Sequence, residues 1–323
     1  MAEARVGFVG CGTHPVRNLL PVLREAGLDL AAVCDLDKRK AQRVARQFGA
    51  RRCYQDLGNM MEEMDLDGVL VCGPPELHAE TALQALARGL PVWTESPPAP
   101  TLAEAERVAE LASAKGTLVQ VGFVMRFAPA YTLLKEIISS EDFRQPSLLR
   151  LTYCTRGTGG LHELLAHGGL HMVDLVRYLM GDIAALSASR SARTGRASVA
   201  VSMRMESGAV GVLAMTSGQP RTREAVEVFA DGSWAAVRGR VDLTWQTRSM
   251  TRPGEAMTWG PDLSTHDVGG SSGHVLGYLP ALEHFAATVR GEAEPAATIH
   301  DAVAAMRVAE RIERGEGELV QMG

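Results

Sequence analysis

The chain has 323 residues, of which 46% are hydrophobic and 22% charged, and its formal net charge is −5. The length favours two domains, and the composition excludes a disordered or fibrous chain. The mildly acidic balance argues against a surface for nucleic acids or anionic membranes. No apolar run approaches membrane-spanning length and no signal peptide is recognisable, so we expect a cytoplasmic protein.

The first predicted strand, residues 5–9, ends directly in a glycine pair, and an apolar helical pattern follows over residues 16–23. Glycines between a strand and a helix let the backbone approach a pyrophosphate at the helix N-terminus. Asp35 ends the second predicted strand, 25 residues after Gly10, where an acid hydrogen-bonds the adenosine ribose. The alternative is an ordinary strand–turn–helix with chance glycines. The predicted nucleotide contacts here are Gly10, Gly12, Thr13, His14 and Asp35.

Pro15 stands where a third small residue usually allows the helix and strand to pack closely. Proline is tolerated in a first helical turn, but it removes one N–H donor. We therefore expect dinucleotide binding in an altered geometry. Asp35 would repel a 2′-phosphate, so NAD is favoured as the cofactor and NADP is the alternative, with Lys38 and Arg39 as its partners.

Strands and helices alternate through residues 1–121, which predicts a Rossmann domain with a doubly wound parallel sheet. Its predicted helices are 38–48, 57–64, 76–88 and 102–115.

Residues 122–323 follow a different pattern, in which strands succeed one another without helices between them. The predicted strands are 148–155, 198–205, 209–216 and 225–230, and the predicted helical segments are 129–139, 170–180 and 280–314. This pattern predicts a C-terminal α+β domain with a large open antiparallel sheet. An uncovered apolar sheet face would make a subunit interface, so we expect a homodimer or homotetramer.

The five cysteines, Cys11, Cys34, Cys53, Cys72 and Cys154, show neither a C-x-x-C pair nor metal-ligand spacing. We therefore expect reduced core thiols and no metal site.

Three segments carry a family resemblance: Val-Cys-Gly-Pro-Pro-Glu-Leu-His at 71–78, Val-Trp-Thr-Glu-Ser-Pro at 92–97, and Val-Gly-Phe-Val-Met-Arg-Phe-Ala-Pro at 121–129. With the glycine pair they resemble the Gfo/Idh/MocA (glucose-fructose oxidoreductase, inositol dehydrogenase) family. Its members generally bind NAD or NADP and oxidise or reduce sugars, cyclitols and similar polyhydroxylated molecules. The resemblance implies further cofactor contacts at Cys72, Gly73, Pro74, Pro75, His78 and Glu95. Arg126 is a candidate contact of the cofactor or the substrate, and the alternative is a structural ion pair between the domains.

The chain departs from this resemblance after the fifth strand. The family pattern there is Glu-Lys-Pro, whose lysine contacts the reacting hydroxyl and the nicotinamide region, whereas this chain has Glu95-Ser96-Pro97. A serine donates one hydrogen bond but brings no positive charge. Losing a positioned cation or acid/base group such as this lysine typically lowers the rate by about 10²–10⁴-fold. Ser96 is a candidate substitute for the lysine contact.

A second departure lies in the family pattern Asp-x-x-x-His-x-x-Asp, which is His167, His171 and Asp174 here. The resemblance implies that His171 is the acid/base, since an unperturbed imidazole titrates near ~6.5, and that Asp174 binds substrate. His167 is a candidate replacement acid/base, although Gly168-Gly169 could start the helix late and leave it on a loop. The spacing also allows a solvated polar helix face. His162 and Glu163, near the place of a lost glycine triplet, are candidate substrate contacts, and the alternative, which we favour, is a surface loop.

Three functions remain open from the sequence. The first is an NAD(P)-dependent oxidoreductase that transfers a hydride between nicotinamide and a sugar, polyol or related compound. The second is an enzyme that holds NAD tightly and catalyses elimination or cleavage without net redox change. The third is a catalytically impaired dinucleotide-binding regulator.

Overall fold

The computed structural model describes residues 3–157, 159–193, 195–250, 255–261, 271–315 and 320–321. Strands and helices alternate from the N-terminus, as predicted. The strands are β1 (Ala4–Val9), β2 (Leu28–Cys34), β3 (Arg52–Tyr54), β4 (Gly68–Val71), β5 (Val92–Thr94) and β6 (Val119–Val121). The helices are α1 (Thr13–Asn18), α2 (Lys38–Phe48), α3 (Leu57–Glu63), α4 (Pro75–Ala87) and α5 (Leu102–Lys115), with a 3₁₀ turn at Leu20–Val22.

These six strands form a parallel sheet in the order β3-β2-β1-β4-β5-β6, the doubly wound topology that the sequence predicts. The strand β4 is buried along its whole length, as expected for a parallel strand with helices on both faces. The chain order reverses between β1 and β4, which leaves a crevice at the carboxyl ends of these two strands. The predicted nucleotide turn follows β1 and lies at that edge.

The second sheet contains nine strands among the described residues. They are β7 (Leu148–Cys154), β8 (Ile183–Arg193), β9 (Arg196–Met205), β10 (Val210–Thr216), β11 (Arg223–Ala230), β12 (Ser233–Arg238), β13 (Asp242–Gln246), β14 (Met257–Trp259) and β15 (Val320–Gln321). Their order is β14-β13-β12-β11-β7-β10-β9-β8-β15, and every neighbouring pair is antiparallel except β7 and β10. The antiparallel prediction is confirmed, with one parallel pair that it did not include.

One face of this second sheet is covered and the other faces outward. Burial alternates strictly along β9, as expected for a sheet with one packed face. The helices that accompany the sheet are α6 (Pro129–Ile138), α7 (Leu161–Leu164) and α8 (Leu170–Met180). Helix α6 packs on β12 and α8 on β7. On the outward face of β10, Val210 and Val212 stay 48% and 40% exposed.

Three helices follow β14 in the chain: α9 (Ser271–Val275), α10 (Tyr278–Val289) and α11 (Ile299–Arg314). The chain divides into two compact units, Met1–Val124 with Asp267–Ala304, and Met125–His266 with Ala305–Gly323. The prediction assigned residues 122–323 to one domain, whereas the described part of Asp267–Ala304 joins the first unit. Hydrogen bonds explain this: the Gln120 side chain donates to the Ala281 carbonyl at 3.0 Å, and the Val121 N–H donates to that of Ala297 at 2.7 Å.

Among the described residues, no helix combines the length and the apolar character needed to cross a membrane.

Candidate functional site

The turn after β1 requires glycine at its first position. Gly10 has φ +95°, in the region that side chains disfavour, and a Cβ there would overlap the carbonyl oxygen of Cys72. Its N–H donates to the Cys34 carbonyl at 2.8 Å. The turn therefore lies in close contact with the ends of the two neighbouring strands, β2 and β4.

Gly12 is the N-cap of α1, and no side chain caps the helix there. A Cβ built on Gly12 meets no atom within 4 Å, so an open cradle lies at this position. Uncapped first-turn N–H groups beside an open cradle fit an anionic ligand such as a pyrophosphate. Thr13 begins the helix, and the buried Pro15 lies within its first turn, as predicted, where its missing N–H leaves no intrahelical bond unmade.

The carboxylate of Asp35 organises the same edge of the sheet. It accepts the N–H of Cys11 at 2.7 Å and the N–H of Asp37 at 2.8 Å. Asp37 in turn caps α2 by accepting two N–H groups. Leu36, between these acids, is 87% exposed. Asp35, the residue predicted to bind the ribose, thus also holds the nucleotide turn in place. Sequence reasoning missed this role because the groups that donate to Asp35 are backbone N–H groups.

The segment after β4 is held by His78. The Gly73 N–H donates to Nε2 of His78 at 2.9 Å, and Nδ1 lies 2.7 Å from the Pro97 carbonyl. Burial lowers the pKa of this imidazole, so it stays neutral and bridges two loops. Pro74 caps α4 and Pro75 begins it. His78 therefore acts here on the backbone that carries Gly73.

A polar group follows β5. One oxygen of Glu95 lies 3.1 Å from Nε2 of His14, and the other accepts the N–H of Ser96 at 3.1 Å. The Glu95 side chain is only 11% exposed. The Ser96 hydroxyl is buried and has no hydrogen-bond partner in the described part of the chain. A Cβ on Gly122 would lie 2.7 Å from the Glu95 carboxylate, so the glycine leaves room for this acid.

Most of the cysteines beside these loops are buried. Cys11, Cys34 and Cys72 are buried, as expected for core thiols, whereas Cys53 is exposed. Burial raises the pKa of Cys11 to about 12 and that of Cys34 to about 11. These groups are thiols rather than thiolates at neutral pH.

In the second unit, the predicted acid/base segment is a helix with an internal π-turn. Residues Leu165–Gly169 form this turn between α7 and α8. A Cβ on Gly168 would overlap the ring of Tyr153 on β7, and one on Gly169 would lie 2.9 Å from the Leu164 carbonyl. The two glycines thus let the π-turn pack against the sheet. His167 lies within this π-turn rather than on a loop, and α8 begins at Leu170.

The polar residues of this segment have different environments. His167 is exposed, His171 is half-buried in the first turn of α8, and Asp174 is buried. Asp174 forms a two-pronged ion pair with Arg126, whose Nε donates to Oδ2 at 2.8 Å and whose Nη2 donates to Oδ1 at 2.5 Å. Tyr178 lies under the same guanidinium, 5.5 Å away. The face is therefore not uniformly solvated.

Arg126, predicted to contact cofactor, is thus bound to Asp174 within the second unit. A guanidinium whose side chain is 12% exposed needs such a partner, since an unpaired buried charge is costly. Sequence reasoning did not pair these residues, which are 48 positions apart.

A cavity of about 370 Å³ in the second unit brings together two of the predicted residues, His167 and Glu163. Its other lining residues are Tyr153, Thr155, Gly157, Gly159, Leu164, Gly168 and Ser217. Hydroxyls, an imidazole and a carboxylate can exchange hydrogen bonds with a polyhydroxylated molecule. His162 does not line this cavity; it is exposed and lies 3.3 Å from Glu313.

Two models of one family match this chain. The model described as "Oxidoreductase family, NAD-binding Rossmann fold" matches residues 4–123, and its companion, "Oxidoreductase family, C-terminal alpha/beta domain", matches residues 156–314. The first match includes the glycine turn, Asp35 and Glu95-Ser96-Pro97. The second includes the π-turn and α8.

Curated relatives agree with this assignment. The chain is 32% identical over 204 residues to an inositol 2-dehydrogenase of Acidothermus cellulolyticus, a match that covers 60% of this chain and 59% of that protein, less than two thirds of its length. It is 29% identical over 331 residues to the rhizopine catabolism protein MocA of Rhizobium meliloti, which covers 96% of this chain and 94% of that protein.

A solved structure shares the fold over nearly the whole chain. It is a dehydrogenase from Chromobacterium violaceum, with a TM-score of 0.91 and 22% identity, covering 98% of this chain and 96% of that one. The two domain models, the full-length relative and this common fold lead to one conclusion: the chain belongs to the Gfo/Idh/MocA family of oxidoreductases.

Proposed function

We propose that the chain is an NAD-dependent oxidoreductase acting on a sugar, a polyol or a related carbonyl or hydroxyl compound. The observation that carries the proposal is the open, uncapped glycine turn at Gly12, beside the Asp35 carboxylate, in a chain of this family. Bound nicotinamide would supply the hydride chemistry. The chain's own residues would bind the nucleotide, orient the substrate and move a proton.

The nucleotide would be held mainly by backbone. Gly10 and Gly12 give the pyrophosphate access to the first-turn N–H groups of α1, and Thr13 adds a hydroxyl donor. Asp35 would accept hydrogen bonds from the ribose and repel a 2′-phosphate, so NAD is preferred over NADP. The exposed Leu36 offers an apolar surface for the adenine.

His171 would be the acid/base. In the oxidative direction its imidazole takes the proton of the substrate hydroxyl, and in the reductive direction it returns that proton. Asp174, whose carboxylate is paired with Arg126, lies three residues further along α8. His167 and Glu163 are substrate contacts in the 370 Å³ cavity that they line.

Ser96 stands where the resemblance expects a lysine. Its buried hydroxyl is free to donate one hydrogen bond to the substrate or to the nicotinamide amide. Because it carries no charge, a Ser96→Lys variant measures what the missing cation contributes. We expect this variant to raise kcat rather than nucleotide affinity.

The test is a dehydrogenase assay on a panel of inositols and hexoses with purified, nucleotide-stripped protein. His171→Gln should lower kcat by about 10²–10⁴-fold while NADH affinity is retained. The control is His300→Gln, which changes an exposed histidine bonded to Ser113 and should leave kcat unchanged. Full turnover by His171→Gln would contradict the proposed role.

Mass spectrometry of the protein as purified separates the two remaining functions. NAD that copurifies and does not exchange, with no net NADH formed on any substrate, would favour internal-redox elimination or cleavage. Nucleotide binding without turnover of any kind would favour a regulator.

A homodimer or homotetramer through the outward face of the second sheet stays a prediction. Val210 and Val212 lie on that face. Light scattering at micromolar concentration should give at least a dimer, and Val212→Glu should lower the mass; a monomeric parent protein would contradict this.

A further inference from the structure

His14 and Glu95 form a charge pair next to the nucleotide turn. His14 is the second residue of α1, two positions after the open N-cap glycine, and Glu95 directly follows β5. Nε2 of the imidazole lies 3.1 Å from Oε1 of the carboxylate. The two residues are 81 positions apart in the chain, so the fold alone brings them together.

The two side chains differ in their access to water. Glu95 is 11% exposed, whereas His14 is 47% exposed. A carboxylate removed from water is costly unless a cation or hydrogen-bond donors compensate it. The Ser96 N–H supplies one donor, and His14 supplies the ionisable partner.

The groups packed around the imidazole allow both protonation states. Nδ1 lies 3.1 Å from the amide of Asn18 on the same helix, and an amide can donate to a neutral ring or accept from a protonated one. From α10, the ring of Tyr278 meets the imidazole edge-on, with 5.9 Å between ring centroids. Among the described residues, Glu95 is the ion-pair partner of His14.

The hydrogen bond to Glu95 raises the pKa of His14 above its ordinary value of 6.5; burial lowers it, and the charge of Glu95 adds to the rise. Protonated His14 therefore persists above pH 6.5. As the pH rises through this elevated pKa, the imidazole loses its charge and the Glu95 carboxylate stands unopposed beside the turn.

We propose that His14 and Glu95 form a protonation-controlled pair in the nucleotide site, with protonated His14 acting as a positioning residue that permits tight binding of an anionic dinucleotide. Neutral His14 leaves the negative charge of Glu95 to repel the ligand's diphosphate. NADH affinity is then highest on the acidic side and declines as the pH rises. This inference rests on the proposed nucleotide site and is independent of the substrate.

The test is a fluorescence titration of stripped protein with NADH from pH 6 to pH 9. The dissociation constant should rise by about fivefold across this range, the effect of one unit charge a few ångströms away in a largely hydrated site. His14→Gln should bind weakly with a flat profile, and His14→Lys should bind tightly with a flat profile up to pH 9. His300→Gln, remote from the turn, should follow the parent protein.

Calorimetry of the unmodified protein provides a second measurement, which would not change if the role of His14 were purely structural. NADH binding in buffers of different ionisation enthalpy should show net proton uptake at pH values around and above the pKa of His14, and His14→Gln should show none. A parental pH profile in His14→Gln, or a flat profile in the parent protein, would overturn the inference. Absence of NADH binding at every pH would overturn the nucleotide site itself, and this pair's role with it.

Discussion

The two units present their chemistry in different ways. At the nucleotide turn of the first unit, the groups offered to a ligand belong largely to the backbone, and side chains such as Asp35 and His78 accept N–H groups that hold this backbone in place. At the start of α8 in the second unit, the groups that we propose to act are side chains on one helix, which also carries Asp174, the buried ion-pair partner of Arg126.

This difference determines how each unit should fail. A site formed by backbone groups tolerates the loss of many side chains. It does not tolerate an added atom where two backbone segments lie in close contact. A side-chain site tolerates small changes of volume, but not removal of one member of a buried charge pair.

The largest effect on stability is expected in the second unit. Asp174→Asn removes the negative charge of the carboxylate paired with the buried Arg126 guanidinium, which should lower the free energy of unfolding by about 3–5 kcal/mol. Urea denaturation measures this change. The matched control is Asp182→Asn, which removes the 57% exposed partner of Arg177 and should cost at most about 1 kcal/mol. Equal losses in the two variants would remove the distinction.

In the first unit, the corresponding change adds one carbon. Gly10→Ala places a Cβ against the Cys72 carbonyl at a positive φ, and should lower the free energy of unfolding by about 3 kcal/mol. Gly49→Ala is the control, because Gly49 has φ +79° but no atom within 4 Å of an added Cβ. Its strain alone should cost about 1 kcal/mol. A cost for Gly10→Ala no larger than that of the control would contradict a close backbone approach.

Much of the first unit follows from local sequence. Helices Lys38–Phe48 and Leu102–Lys115 have the predicted bounds, because Gly49 and Gly116 end them in the left-handed conformation. The glycine turn and Asp35 were likewise recognisable, since a short strand–turn–helix pattern encodes them.

Less of the second unit could be predicted, because the strands and side chains that contact one another there are distant in sequence. The sequence analysis missed strand β8 (Ile183–Arg193). It also could not predict the parallel pairing of β7 with β10, because alternation of apolar and polar residues shows which face of a strand is buried but not which strand lies beside it. The pairing of Arg126 with Asp174 was missed for the same reason. The π-turn depends on Tyr153 of another element, so glycines alone suggested a loop.

A smaller loss of stability is expected where a side chain forms hydrogen bonds to backbone groups. His78→Ala leaves the Gly73 N–H and the Pro97 carbonyl without their partner and should cost about 2 kcal/mol. Because the pKa of His78 is lowered in the folded protein, the unfolded chain binds its proton first, so stability should fall as the pH drops below 6.5. Melting temperatures from pH 7.5 to pH 5 should decline more steeply for the parent protein than for His78→Ala. Parallel curves would mean that this imidazole is not held neutral.

The division of roles between the units is tested most directly by NADH titrations of Gly12→Ala and His171→Gln side by side. The added Cβ of Gly12→Ala enters the open cradle, so this variant should fold normally and bind NADH about tenfold more weakly. His171→Gln should keep the affinity of the parent protein, because its role is proton transfer. Unchanged affinity in Gly12→Ala, or an equal loss in His171→Gln, would contradict this division of roles.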